Sequence, residues 1–317
     1  MMNQDHIDPE LLELLANRRA LRLSVEKIQK SRDFIVQAAQ ATKTILDPAV
    51  RSEELQVTSR FDASAIRVLR YQPTSASSHT PVLLHCHAGG FVMGTPEMTE
   101  PENIRLVKEL NCSIFSVDYR LAPEYPYPTA LHDVYSVLSW LHDNAETLKI
   151  DKTRIGIKGE SGGGGIAAGV ALFVRDTPGP KLAFQHLIYP MLDDRTVLRT
   201  DLHEHIGQVM WTNEHNRFGW QSLLGKEPGS ADVSPYAAAS RALDLQGLPP
   251  TFISVGALDL FCEENIVYAQ RLLTQGVPVE LHVYPRAFHG FRNATNSRVA
   301  KQAAQDSLEA LRRSLYG

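Results

Sequence analysis

The sequence predicts an α/β fold, in which a mostly parallel sheet of eight strands has helices on both faces. The first observation is that short apolar runs alternate with helix-periodic segments from residue 81 onward. The second is that residues 56–61 and 65–71 alternate apolar and polar positions on either side of a turn, a pattern typical of an antiparallel pair. In such folds the functional residues gather at the carboxyl ends of the parallel strands.

Two helices are expected ahead of the sheet. Asp8 followed by Pro9 indicates a helix start, because the aspartate can cap free N–H groups and proline fits the first helical position. Ser24 is predicted to cap a second helix that runs to about Gln40. Residues 1–50 are therefore interpreted as an N-terminal set of cap helices.

The remaining elements alternate along the chain. Predicted strands cover residues 81–86, 113–117, 155–158, 184–189, 251–255 and 279–284. Predicted helices cover residues 101–110, 130–142, 166–175, 263–275 and 296–315. We assign residues 51–190 and 243–317 to a single α/β core.

One segment interrupts this alternation. Residues 191–242 separate two strands that a short crossover would normally join, and they are too many for a plain loop. The segment contains Trp211, Phe218 and Trp220, which need a core to pack against. We interpret residues 191–242 as a helical cap inserted into the core.

Composition narrows the functional classes. The formal net charge of -4 gives no basic surface for nucleic acid or anionic lipid. The three cysteines, Cys86, Cys112 and Cys262, are too few and too widely spaced for a disulfide framework, which indicates a reducing compartment. The sequence has no cationic and apolar leader and no apolar stretch long enough for a membrane span, so a cytoplasmic location is expected.

The segment Gly159-Glu160-Ser161-Gly162-Gly163 carries the strongest chemical signal. It matches G-x-S-x-G between a predicted strand and a predicted helix, which is the context of a nucleophile elbow. The flanking glycines allow the tight turn that exposes the serine hydroxyl. Ser161 is therefore the predicted nucleophile, and Glu160 beside it is a supporting residue.

A serine nucleophile needs a base and an acid that orients the base, and in this fold they follow in the order Ser, Asp or Glu, His. Asp259 follows one predicted strand, and His289 follows the last one. We predict that His289 is the general base and Asp259 its acid. Asp259 could instead only cap the next helix, with Glu263 or Glu264 as the acid.

A glycine loop follows the strand that ends at Cys86. The segment His87-Ala88-Gly89-Gly90-Phe91 is similar to the H-G-G-G loop, whose backbone N–H groups bind a developing oxyanion. Gly89, Gly90 and Gly162 are the predicted donors. His87 is predicted to support the loop from behind rather than to act as a base.

Together with Tyr119-Arg120-Leu121-Ala122-Pro123-Glu124, these motifs resemble the hormone-sensitive-lipase-like branch of the α/β-hydrolases, the bacterial carboxylesterases. The resemblance extends from about Arg60 to the C-terminus. It implies the α/β-hydrolase fold, hydrolysis of short to medium acyl esters of small molecules without a cofactor, a cap made from the N-terminus and the insertion, and frequent homodimers. We expect Asp118, Arg120 and Glu124 to form ion pairs that brace the glycine loop.

The sequence departs from that family's pattern at several positions. Ala88 replaces a glycine, which would cost about 1 kcal/mol if the backbone there required a positive φ. Gly162 stands where alanine is common, and Leu260 and Cys262 replace proline and arginine. These departures leave the predicted triad intact and bear on substrate preference.

There are three alternatives to this interpretation: a metal site, hydrolysis of a different bond and a non-catalytic receptor. His203-Glu204-His205 and His85-Cys86-His87 carry metal-ligand side chains two apart, but each lacks the further ligands of a zinc site, so no metal is expected. The same triad could instead hydrolyse a lactone, a carbamate or an aryl amide. A non-catalytic small-molecule receptor on this scaffold would have lost a triad residue, and here all three are present.

Overall fold

The computed structural model of the protein describes residues 4–16, 23–41, 47–75 and 79–317. Its centre is a sheet of eight strands in the order β1-β2-β4-β3-β5-β6-β7-β8. The strands are β1 (Val50–Thr58), β2 (Ala65–Pro73), β3 (Thr80–Cys86), β4 (Ser113–Asp118), β5 (Ile150–Glu160), β6 (Gln185–Ile188), β7 (Thr251–Gly256) and β8 (Val279–Tyr284).

The sheet is antiparallel only where β2 pairs with β1 and with β4. All the other neighbouring strands run parallel, from the β4–β3 pair to the β7–β8 pair. The carboxyl ends of β3, β5, β7 and β8 therefore lie along one edge of the sheet. This edge carries every predicted catalytic residue, and the predicted α/β-hydrolase architecture is confirmed.

Helices cover both faces of the sheet. The α-helices of the described residues are α1 (Leu12–Ala16), α2 (Ile28–Ala41), α3 (Glu100–Leu110), α4 (Thr129–Asp143), α5 (Ala145–Leu148), α6 (Gly162–Asp176), α7 (Asn213–Leu224), α8 (Cys262–Thr274) and α9 (Arg298–Tyr316). Apolar residues of α3 and α9 form one buried cluster with the sheet. Those of α4, α6 and α8 form the larger cluster on the other face. Among the helices of the described residues, none has the length and apolarity to cross a bilayer.

The N-terminal residues pack close to the edge that carries the motifs. Asp8 accepts the N–H of Glu10 at the start of a 3₁₀ turn, Pro9–Leu11, that continues into α1. Leu11 is fully buried, in a cluster that also contains Phe288 and Phe291 next to His289. The segment is therefore anchored to the core by apolar packing.

The second predicted helix starts later than the sequence indicated. Ser24 does not cap it, because residues 25–27 form a turn and α2 begins at Ile28. The Ser24 hydroxyl donates to Glu26, and its carbonyl accepts the N–H groups of Lys27 and Ile28. Local turn formation therefore takes the place of the predicted cap.

The inserted segment 191–242 is less helical than predicted. Within it, α7 is the α-helix, and 3₁₀ turns cover Asp194–Leu198 and Ala239–Arg241. Trp220 is fully buried and Trp211 is 4% exposed, so the aromatic residues of the segment do reach a core. The division into two cap segments and one core stays a prediction.

Candidate active site

Ser161 occupies the turn between β5 and α6. Its backbone has φ 54° and ψ −121°, a combination that non-glycine residues rarely adopt. A Cβ on Gly159 would overlap the carbonyl oxygen of Gly163, and a Cβ on Gly163 would overlap the carbonyls of Cys86 and His87. Glycine is needed at both positions because two backbone segments approach each other closely. The Ser161 side chain is held where β3, β5 and α6 meet.

The structure brings the three predicted triad residues together. The Ser161 Oγ lies 2.9 Å from the His289 Nε2, and the His289 Nδ1 lies 2.8 Å from the Asp259 Oδ2. The other oxygen of Asp259 accepts the N–H of Phe261 at 2.9 Å. Asp259 is fully buried, and Ser161 and His289 are also buried. This geometry lets a proton on the hydroxyl pass to the imidazole while the carboxylate fixes the ring.

Neither rival carboxylate contacts His289. Glu263 is exposed and forms an ion pair with Arg199 at 3.0 Å. Glu264 is buried and accepts the N–H of Leu192 at 2.7 Å and the hydroxyl of Thr196. Burial raises the pKa of Glu264 well above its ordinary value, although these hydrogen bonds oppose the shift. Glu264 therefore links α8 to the inserted segment and takes no place in the triad.

Three aromatic rings surround the imidazole of His289. Tyr189 and Phe261 meet it edge-on, with ring centroids 4.8 Å and 5.1 Å away, and Trp211 lies 6.3 Å away. Burial raises the pKa of Tyr189, so its phenol stays neutral. The rings limit access of water to the histidine and strengthen its interaction with Asp259. The sequence offered no signal for this arrangement, because the rings come from separate segments.

The His87–Phe91 loop lies directly beside the elbow. Gly89 has φ 146° and Gly90 has φ 58°, both in the region that favours glycine. A Cβ on Gly162 would come within 2.7 Å of the Phe91 nitrogen and 2.8 Å of the Gly90 nitrogen. Among the described residues, none accepts a hydrogen bond from the N–H groups of Gly89, Gly90 or Gly162. Three free donors are thus grouped next to Ser161.

Two of the departures from the family pattern have a structural explanation, Gly162 in this close approach and Ala88 in its backbone conformation. Alanine at position 162 would push against the backbone of Gly90 and Phe91, so the glycine there matches a loop that lies close to the helix. Ala88 is not among the residues with positive φ, and its Cβ therefore has no backbone cost. Phe91 has φ 71° instead, so the unfavourable backbone lies at the other end of the loop.

His87 is buried behind the loop. Its ring stacks on Tyr119 with centroids 4.2 Å apart, and its Nδ1 lies 3.0 Å from the carbonyl oxygen of Ala88. The hydroxyl of Tyr119 donates to the carbonyl of His87 at 2.7 Å. Burial lowers the pKa of His87, which favours the neutral ring. These contacts fit a support for the loop.

The charged residues near Tyr119 do form ion pairs, but each pairs with a different part of the fold. Asp118 pairs with Arg67 at 2.9 Å, and Arg120 pairs with the buried Asp133 at 2.6 Å. Glu124 pairs with Arg32 of α2 at 2.8 Å.

Arg32 contacts the residue that directly follows the glycine loop. Its guanidinium donates to the carbonyls of Val92 and Ala122, both at 2.8 Å, as well as to Glu124. Sequence reasoning missed it because an arginine on a predicted amphipathic helix is usually assigned to the solvent face. The N-terminal segment is therefore tied to the loop through hydrogen bonds.

The histidine pairs considered for a metal have other contacts. His85 Nδ1 lies 2.8 Å from the Ser116 Oγ, inside the sheet. The His205 ring stacks on His6, with centroids 3.7 Å apart, and lies 4.6 Å from that of His203. Across the described ranges, no three His, Cys, Asp or Glu side chains are arranged to hold a metal ion.

Comparisons with known proteins agree with this architecture. A family model of the α/β-hydrolase fold matches residues 83–293. Carboxylesterase NlhH of Mycobacterium tuberculosis is 32% identical over 312 residues, which cover 98% of this chain and 97% of that protein. The solved structure of bacterial heroin esterase matches with a TM-score of 0.92 and 36% identity, and covers 98% of this chain and 99% of that one. Esterase LipW from Mycobacterium marinum matches with a TM-score of 0.87 and 34% identity over 99% of this chain and 98% of that one.

The chain therefore belongs to the α/β-hydrolase family. Within that family it falls in the hormone-sensitive-lipase-like branch of bacterial carboxylesterases, and it is an enzyme of the carboxylic ester hydrolase class.

Proposed function

We propose that the protein hydrolyses short to medium acyl esters of small molecules through a Ser161–His289–Asp259 triad and an acyl-enzyme intermediate. The observation that carries this proposal is the pair of contacts of 2.9 Å and 2.8 Å that link the hydroxyl, the imidazole and the carboxylate. Serine hydroxyls are weak nucleophiles until a base removes the proton, and this chain of contacts provides the base and its orientation.

In the first step the Ser161 Oγ attacks the ester carbonyl carbon while its proton moves to the Nε2 of His289. The carbonyl oxygen takes the negative charge, and the N–H groups of Gly89, Gly90 and Gly162 stabilise it. The tetrahedral intermediate collapses when the bond to the alcohol breaks and His289 gives its proton to the leaving oxygen. The acyl group then remains on Ser161.

In the second step a water molecule attacks the acyl carbon and His289 takes one of its protons. The carboxylic acid leaves when the bond to Ser161 breaks and the proton returns to the serine oxygen. Asp259 stays ionised throughout and stabilises the charged imidazole. The rings of Tyr189, Phe261 and Trp211 support this role because they pack around the imidazole that Asp259 orients.

We further propose that residues 1–50 and 191–242 together cover the site as a cap on the core formed by residues 51–190 and 243–317. Three contacts support this: Arg32 donates to the Val92 carbonyl, Trp211 packs on Gly90, and His6 stacks on His205. The indole beside Gly90 leaves limited room for an acyl group, which favours short to medium chains. A cytoplasmic location and a homodimer stay predictions.

The test compares the intact enzyme with Ser161→Ala on p-nitrophenyl esters of increasing acyl length, with a lactone and an anilide alongside. The variant should fold and lose nearly all hydrolysis, because only residual stabilisation of the oxyanion remains. A fluorophosphonate should label the intact enzyme at Ser161, as mapped by peptide mass spectrometry. Label on another serine, or turnover by the alanine variant, would show that the nucleophile lies elsewhere.

A further inference from the structure

Four charged side chains form a largely buried cluster beside the proposed nucleophile. We call these residues the charge cluster: Lys158, Glu160, Glu102 and Arg292. The Lys158 Nζ lies 2.5 Å from Glu160 and 4.0 Å from Glu102. The guanidinium of Arg292 lies 2.7 Å from Glu102 and 4.0 Å from Glu160. Each cation is therefore within ion-pair distance of both carboxylates.

The four residues connect the two halves of the proposed catalytic pair. Glu160 directly precedes Ser161 at the end of β5, and Lys158 lies on the same strand. Arg292 lies in the 3₁₀ turn Phe291–Asn293, in the loop that carries His289. Glu102 joins them from the first turn of α3. The charge cluster thus fixes the loop of the proposed base against the strand of the proposed nucleophile.

Three of the four side chains are at most 9% exposed, Glu102 is 25% exposed, and the formal charges of the cluster balance. The side chains of Lys158 and Arg292 are 1% and 9% exposed, so the loss of one partner would leave a charge without compensation. Burial alone would raise the pKa of Glu102, but the charges of Arg292 and Lys158 outweigh it and hold that pKa below its ordinary range. Glu102 is therefore ionised at neutral pH.

Four further titratable residues lie around the cluster: His85, His186, Arg105 and Lys301. Lys301 lines the same cavity as Glu102 and Arg292, but it is exposed, so solvent screens its charge. His85 and His186 flank Lys158 in the sheet register, and burial together with the Lys158 charge holds the pKa of each well below its ordinary value. Both histidines are therefore neutral. Arg105, one turn along α3, pairs with Glu109 of the same helix at 3.3 Å.

The charge cluster adjoins His289 on two sides: Arg292 follows it by three residues, and Glu160 precedes Ser161, whose Oγ lies 2.9 Å from the His289 Nε2. The ring of Tyr189 meets the His289 ring at 4.8 Å, and Glu160, Arg292, Glu102 and Asp259 all act electrostatically on that phenol. Tyr189 itself is neutral, and the other rings against His289, those of Trp211 and Phe261, carry no charge. Among the described residues, Asp259 is the charged group in contact with His289, and the charge cluster adjoins the loop that carries it.

We propose that the charge cluster is a positioning device, which aligns His289 with Ser161 and keeps the net charge beside the histidine at zero apart from Asp259. This inference rests on the proposed function of Ser161 and His289. It has a specific consequence: an unbalanced positive charge should disfavour protonation of His289, and an unbalanced negative charge should favour it.

The test measures the pH dependence of kcat/KM on p-nitrophenyl acetate for Glu102→Gln, Arg292→Gln and the double variant. Glu102→Gln leaves one excess cation, so the midpoint of the acid limb should move to lower pH. Arg292→Gln leaves one excess anion, so the midpoint should move to higher pH. Each shift should be about half a pH unit or more. The double variant restores neutrality, so its midpoint should return to that of the intact enzyme.

Three controls separate electrostatics from damage to the fold. Glu146→Gln removes the same charge from a side chain that is 92% exposed and should not move the limb. Arg292→Lys keeps the charge and loses the planar fork, so it should keep the midpoint while kcat falls several-fold. Ser161→Ala, prepared in parallel, should be inactive; turnover by that variant would overturn the proposed function and this inference with it.

If Ser161→Ala is inactive, the midpoints of the cluster variants test this inference separately from the proposed function. Equal midpoints for Glu102→Gln and Glu146→Gln, or shifts of Glu102→Gln and Arg292→Gln in the same direction, would overturn it. Should Arg292→Gln not fold, Glu102→Gln still decides, because Glu102 is the most exposed member and its replacement retains the amide oxygen as an acceptor.

Discussion

The indole of Trp211 lies against Gly90 so closely that a methyl group on that glycine would overlap the ring. The indole N–H donates to Asn216 at 3.3 Å, and this contact fixes the ring orientation. A residue of the inserted segment thus forms part of the wall beside a proposed oxyanion donor. Substrate size should therefore depend on this one side chain.

Trp211→Ala should raise the rate on a long p-nitrophenyl ester relative to a short one by about tenfold, because the space that the indole fills becomes available to the acyl chain. The measurement is the ratio of kcat/KM for the octanoate and acetate esters. Phe61→Ala removes an exposed aromatic ring that stacks on His132, away from the site, and should leave the ratio unchanged. An unchanged ratio in Trp211→Ala would mean that the acyl chain passes elsewhere.

Asp259→Asn should lower kcat by a factor on the order of 10³ or more with little loss of stability, because the amide would hold the wrong tautomer of His289. Glu263→Gln is the matched control, since Glu263 is exposed and pairs only with Arg199 among the described residues. Steady-state rates and thermal unfolding of both variants test this. A larger loss of activity in Glu263→Gln than in Asp259→Asn would show that Glu263 is the acid that orients His289.

Arg32→Gln should lower the free energy of unfolding by about 1–3 kcal/mol and reduce kcat, because the carbonyls of Val92 and Ala122 lose a charged donor. Arg51→Gln is the control, since its pair with Glu53 is largely exposed and should contribute almost nothing. Urea unfolding and turnover measurements distinguish the two. Equal stability losses would contradict a bracing role for Arg32.

The free energy of unfolding of Glu264→Gln, relative to that of the intact protein, should increase as the pH rises. Burial raises the pKa of Glu264 in the folded state, so above about 4.5 the folded protein retains a proton that the unfolded chain releases. The intact protein therefore loses stability with rising pH, and the glutamine variant lacks this loss. Thermal unfolding between about pH 5 and pH 9 measures the difference, with Glu263→Gln as the exposed control. A difference that stays constant with pH would mean that Glu264 is ionised when folded.

The order of the elements and the candidate site could be predicted because each motif adjoins a strand end. Once β5, β6, β7 and β8 are recognised as successive parallel strands of one sheet, Ser161, Asp259 and His289 must lie along one edge. The sequence pattern does not predict the start of β5, because residues 151–154 are polar and resemble a loop. In the structure Ile150 pairs with Thr80 of β3, and this long-range pairing decides the strand start.

Contacts between distant segments could not be predicted. Lys158 and Arg292 are far apart in sequence, and a lysine in a strand next to a glycine motif gives no sign that it is buried against a carboxylate of α3. The same holds for Arg32, whose carbonyl partners lie far along the chain. The pattern of apolar and polar residues in one sequence predicts the helices and strands, but it does not predict which helix packs against which loop.

The close fit of Gly162 against Gly90 and Phe91 bears on how this enzyme could be re-engineered. An alanine at position 162 alone should impair the enzyme, because its Cβ would press on Gly90 and Phe91 while the Trp211 ring already packs against Gly90. A library that varies only one of the two loops would therefore contain mostly inactive clones. Useful variants require paired changes, in which a wider loop at residues 88–91 accompanies the larger side chain at the elbow. The two loops should be exchanged between relatives as a single cassette.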